Sequence, residues 1–200
     1  MRELNGGRWG LVRARETARA VETDRPAVKA LIQSMFGDDT EIRKRAADVA
    51  RRIIEQDASP LKRYADELAG LLAEASVEES RTRWHLGLVV AKVAHTREQR
   101  LRAARLMELL MEDDSNVARC SAIEGMGLLA IEEPSLRVIA EELIERALRE
   151  GTLAMKCRAR LAGLSVSKQK GRHYWRPYYS GCELISRRKR SLRPSVPEQL

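Results

Sequence analysis

Residues 96–134 read TREQRLRAARLMELLMEDDSNVARCSAIEGMGLLAIEEP. Thr96 followed by Gln99 has the capping-box form that opens a helix. Asp113-Asp114-Ser115-Asn116 then makes an acidic turn, and a second helix from Val117 to Ile131 is apolar on nearly every face, with Arg119 near its start. Pro134 begins the next unit. The same order of pieces occurs four times. Helices start at Pro26, Pro60, Arg97 and Pro134, which are 34, 37 and 37 residues apart. The basic residues Arg43, Arg83, Arg119 and Lys156 recur inside the second helices at intervals of 40, 36 and 37. Two helices per period of this length indicate units that bury their apolar faces only against each other. The predicted fold is all-α, an α-solenoid of about four helix pairs. An N-terminal helix over about 10–22 caps it, the pairs span about 26–58, 60–95, 97–131 and 134–164, and a basic, disordered tail occupies 165–200.

The spacing inside each unit supports this division. Val28, Leu31, Ile32, Met35 and Phe36 make one apolar stripe, Leu61, Tyr64, Ala65, Leu68 and Leu72 repeat it, and Leu136 to Leu148 carries it for more than three turns. Ser59 is placed to cap the helix at Pro60. The second helices distinguish interior from end units. Trp84 to Val93 and Val117 to Ile131 suit helices covered on two sides, whereas Glu41 to Glu55 gathers Arg43, Lys44, Arg45, Asp48, Arg51 and Arg52 on a face predicted to meet solvent. Gly125 and Gly127 mark a close helix crossing, because glycine inside a helix costs about 1 kcal/mol relative to alanine unless contact offsets it. Leu11, Ala14, Ala18 and Val21 form the capping helix that covers the open end.

Charge is unevenly placed. Of a net +8, residues 165–200 hold +7 and the repeat body about +1, so a nucleic-acid reading rests on the tail and not on the body. Met1 to Arg8 is charged, with no long apolar stretch behind it, so neither a leader nor a membrane span is expected and the location is read as cytoplasmic. Cys120, Cys157 and Cys182 are odd in number and far apart, which fits reduced thiols better than disulfides or zinc ligands.

The Pro at the first helix, the acidic turn and the basic residue of the second helix resemble the HEAT-repeat family of adaptin-like scaffolds over about Pro26 to Leu164. The turns Gly37-Asp38-Asp39-Thr40, Glu78-Glu79-Ser80 and Asp113-Asp114-Ser115-Asn116, each followed by Arg43, Arg83 or Arg119, carry the resemblance. The fourth unit departs from it, with Gly151-Thr152 in place of an acid and Lys156 in place of Arg. The resemblance implies an acid–arginine ladder between adjacent turns and a protein-binding concave face formed by the second helices. The arginines are accordingly read as structural.

Motifs for catalysis are sparse. No Gly-rich phosphate loop follows a strand, and His85, His95 and His173 have no second metal ligand three or four residues away, so neither cofactor nor metal is expected. Cys120 sits in an apolar helix, where burial disfavours the thiolate. The leading expectation is a non-enzymatic scaffold whose contacts to an unidentified protein or peptide come from non-core positions of the second helices: Arg45 and Arg52, His85 and Lys92, Ser121 and Glu124. The alternative is nucleic-acid binding. One route is the tail, where Tyr174, Trp175, Tyr178 and Tyr179 lie among cations. The other is a HEAT-like alkylpurine DNA glycosylase groove around Trp84, which lacks an obvious carboxylate beside it in the sequence.

Overall fold

The computed structural model describes Leu4 and residues 9–170, with side chains placed through residue 167. The regular elements among the described residues are helical. In chain order they are α1 (Leu11–Val21), α2 (Arg25–Ser34), α3 (Thr40–Gln56), α4 (Ser59–Lys62), α5 (Ala65–Glu74), α6 (Ser80–Val93), α7 (Arg97–Met111), α8 (Asn116–Glu132), α9 (Arg137–Glu150) and α10 (Leu153–Lys170). A 3-10 turn at Pro134–Leu136 leads into α9. Two of the predicted first helices are therefore broken near their proline, one into α4 and α5 and the other into this turn and α9. Among the described residues, no helix is long and apolar enough to cross a membrane.

Consecutive helices pack against each other, α2 on α3, α5 on α6, α7 on α8 and α9 on α10. The second helices make a continuous series, with α3 between α1 and α6, α6 between α3 and α8, and α8 between α6 and α10. The first helices pack against this series, α5 against α6 and α7, α7 against α8, and α9 against α8 and α10. Apolar stripes supply the interface, with Leu31, Met35, Ile53, Leu61, Leu68, Met107, Ile123 and Ile144 fully buried or nearly so. α6 and α8, read as interior from their composition, are buried on most faces, from Leu86 through Val90 and from Ser121 through Ile123. Small residues let them approach. A Cβ on Gly87 would stand 2.7 Å from Leu110 Cδ2, one on Gly125 2.6 Å from Met107 Sδ and 3.1 Å from Ala91 Cβ, and one on Gly127 3.0 Å from Ala162 Cβ.

Capping agrees in part. Thr96 and Gln99 form the full capping box, and Asp39 accepts the backbone N–H groups of Glu41 and Ile42 at 2.9 and 3.1 Å. Ser59 is not the cap it was predicted to be. It is the first residue of α4, and its own N–H donates to Asp57 at 2.9 Å, because a carboxylate two residues upstream is the stronger acceptor. Phe36 also departs from prediction, since α2 ends at Ser34 and leaves the ring 55% exposed.

Two larger corrections concern the ends. The polar face of α3 does not meet open solvent. Arg43, Lys44, Arg45, Asp48, Arg51 and Arg52 are all part-buried, because α3 is flanked by α1, with Ala14 and Ala18 buried, and by α6. At the far end α10 continues past the predicted boundary at residue 164, burying Val166 and reaching Lys170. The remainder of the predicted tail, with its aromatic and basic residues and Cys182, lies outside the described residues.

Candidate functional site

The helical period brings one stripe from each second helix onto a shared face: Arg45, Asp48, Arg51 and Arg52 from α3, Arg81, Trp84, His85 and Lys92 from α6, Cys120 and Glu124 from α8, and Arg158 and Leu161 from α10. The stripes interact across the helices. Trp9, just before α1, donates its indole N–H to Asp48 Oδ2 at 3.1 Å, and the Arg45 guanidinium lies over the same ring at 5.6 Å while donating to the Leu4 carbonyl at 2.8 Å. Arg52 donates to Asp48 at 3.0 Å and to Glu55 at 2.6 Å. Arg51 lies over Trp84 at 5.0 Å, and Trp84 stacks on His85 with 4.4 Å between ring centroids. Farther along, Arg158 and Glu124 make a 2.9 Å ion pair from α10 to α8.

The electrostatics follow from this enclosure. His85 Nδ1 is 4.0 Å from Asp48 Oδ1, and burial pushes the imidazole down to about 4 despite the carboxylate, with Arg51, Arg52 and Arg81 acting in the same direction as burial. The ring is therefore neutral at physiological pH. Burial also lowers the Arg51 guanidinium below its ordinary value, and among the charges Glu124 opposes this most strongly, so Arg51 of α3 feels α8 across α6. Cys120 is raised by burial, as expected for a packing thiol rather than a nucleophile.

The six predicted contact residues are distributed unequally. Lys92 is exposed and donates to the Ile54 carbonyl at 3.2 Å, and Glu124 is half-buried in its pair with Arg158. Arg45 and Arg52 are mostly enclosed, at 17% and 14% side-chain exposure, and committed to local partners. His85 and Ser121 are corrections. They were predicted at the surface but are 5% and 2% exposed, since His85 is enclosed between α3 and α6 and Ser121 Oγ faces the gap left by Gly87. Helical phase alone put them on the outer stripe, and the neighbouring helices cover them.

Sequence reasoning missed Trp9, Asp48 and Arg158 as members of the face. A signal for Arg158 was present in the repeat period, since it stands 34 residues after its partner Glu124. Asp48 was legible as the acid standing between Arg45 and Arg51 on the polar face of α3. The expected carboxylate gap beside Trp84 is thus partly filled by Asp48, but its oxygens already accept from Trp9 and Arg52.

The acid–arginine ladder is present in two rungs. Arg83 donates to Asp113 of the following turn at 2.6 Å and to the Ala75 carbonyl at 2.8 Å, and Arg43 stands 3.3 Å from Glu79. Arg119, whose following turn is Gly151-Thr152, donates to Asn116 of its own helix instead. These geometries support the structural reading of the arginines. Among the described residues, no group of three His, Cys, Asp or Glu side chains is arranged to hold a metal. Compared with protein-family models, with curated proteins and with solved structures, the chain finds no significant match.

Proposed function

We propose that the chain is a HEAT-like solenoid acting as a non-enzymatic scaffold, and that the face of α3, α6, α8 and α10 holds another protein in an extended, shallow mode. The observation that carries this reading is the serial packing of those second helices, with side chains linked from α3 to α6 and from α8 to α10. The ion pairs favour a repeating stack as well. Arg43–Glu79, Arg102–Asp66, Arg97–Glu133, Arg146–Glu112 and Arg158–Glu124 each join residues separated by one repeat length. The chemistry of the face suits binding more than turnover. Its histidine is held neutral and enclosed, its thiol is disfavoured as a thiolate, and its carboxylates are already engaged. A flipped base would need an open aromatic face, whereas Trp84 already has Arg51 over its ring and His85 stacked against it.

The test places a photo-crosslinking amino acid at Lys92, on this face, or at Glu145, on the exposed side of α9. Proteins captured from native cells at Lys92, identified by mass spectrometry and absent with Glu145, are the expected result. Equal capture from both positions would reject the assignment of the face.

A further inference from the structure

We infer that the occupant of the second-helix face is an extended acidic peptide that also carries apolar side chains, an assignment that rests on the protein-binding reading above. The first ground is charge. With Arg45 paired to Glu41, the cations Arg51, Arg52, Arg81, Lys92 and Arg158 face Asp48, Glu55 and Glu124, which gives a surplus of two positive charges. Residues 1–164 together carry only about +1, so the fold concentrates cations here. The three carboxylates are spent on Arg52, Arg51 and Arg158. Arg81 and Lys92 are the accessible cations. Both are exposed, the electrostatic contact of Arg81 is with the neutral His85, and the hydrogen bond of Lys92 is to a carbonyl and not to a carboxylate.

The second ground is an apolar trough farther along the same face. Leu128, Ile131, Leu161 and Ala162 line a cleft of about 190 Å³ between α8 and α10, crossed by the Glu124–Arg158 pair, and Leu161 is 50% exposed. That volume is below the ~300–1,000 Å³ of small-molecule sites, and it suits a side chain rather than a whole ligand. Four second helices at interaxial distances of about 8–10 Å span roughly 24–30 Å. An extended peptide of about nine residues at ~3.3 Å per residue covers that length. Phosphate groups would satisfy the charge equally well, but a single-stranded nucleic acid binds by stacking its bases on open aromatic side chains, and Arg51 covers Trp84.

The experiment is fluorescence anisotropy on the full-length protein with four labelled probes. They are a nonapeptide of alternating glutamate and leucine, the same peptide with lysine for glutamate, the same with serine for leucine, and a twelve-nucleotide oligothymidylate. The glutamate–leucine peptide is expected to bind best. Charge reversal with Arg81→Glu and Lys92→Glu together should weaken it about tenfold, as loss of two complementary charges predicts. Leu161→Asp should produce a comparable loss. Melting curves followed by circular dichroism separate these effects from unfolding, and Leu161→Ser serves if a charged variant melts early. Equal or tighter binding of the lysine peptide overturns the acidic assignment. If Leu161→Asp still abolishes that binding, the face survives as a docking surface. A tighter oligonucleotide complex that is lost in the double variant overturns the assignment in favour of nucleic acid. Failure of all four probes to bind also overturns it, and the crosslinking result at Lys92 then decides the broader reading separately.

Discussion

Asp113 shows how much one side chain can depend on a turn in another unit. Its side chain is 1% exposed, one oxygen accepts from Arg83 at 2.6 Å and the other from the Ser115 N–H at 2.7 Å. Asp113→Ala removes both and leaves the Arg83 guanidinium enclosed without its carboxylate, so a loss of about 3 kcal/mol is expected. Glu79→Ala removes the more exposed rung to Arg43 and should cost under ~1 kcal/mol. Chemical denaturation of the two variants checks the order, and equal costs would show that the rungs are not graded by burial. His85 makes a second expectation at this scale. Its folded value is about 4, below the ordinary 6.5, so the unfolded chain takes up the proton first as pH falls. Its neutral form then ceases to be free of cost, and stability declines as pH drops from about 6.5 to about 4, with no further decline from this group below that. A shift of that size corresponds to about 3 kcal/mol. His85→Gln should flatten this segment of the stability–pH curve relative to the native protein, while carboxylate titration near pH 4 remains in both. An unchanged difference curve would refute the enclosed, neutral imidazole.

Helices α5 and α8 contain glycines with opposite roles. Gly70 in α5 has nothing within 4 Å of where a Cβ would stand, so Gly70→Ala should stabilise by about 0.5–1 kcal/mol through helix propensity. Gly125→Ala in α8 gains the same propensity, but its Cβ would stand 2.6 Å from Met107 Sδ, in a side chain that is fully buried, and 3.1 Å from Ala91 Cβ on a neighbouring helix. A net destabilisation of about 1–2 kcal/mol is expected, since overpacking of this kind outweighs the propensity gain. Thermal melts of the two variants should therefore move in opposite directions. The sequence made the Gly125 and Gly127 crossing legible, because a glycine pair inside a strongly apolar helix calls for close contact. It did not reveal Gly87, which needs knowledge that Ser121 and Leu110 stand opposite it. The burial of Ser121 was hidden for the same reason. A serine on an outer helical stripe reads as exposed until the facing residue is known to be a glycine.

For the whole molecule, the contacts of α3, α6 and α8 with a second helix on either side, against one such neighbour for α1 and α10, mean that stability should fall toward the ends. Native-state hydrogen exchange is expected to show the slowest amides in α6 and α8, with faster exchange in α1 and α10. Uniform protection from α1 through α10 would argue for one globular core instead. The period of helix starts, the capping box at Thr96, the two apolar interior helices and the close crossing at Gly125 were determined by the sequence alone, because each depends on residues close together along the chain or on a regular spacing. Tertiary structure decided which polar residues of the second helices remain accessible. Arg45, Arg52, His85 and Ser121 lost the exposure that helical phase implied, whereas Lys92 kept it. The physical reason is that burial of a side chain is set by what packs over it from the preceding segment or the next unit, here Trp9, α1 and the residues about one repeat away. A helix's own periodicity indicates which way a side chain points, but not what stands opposite it.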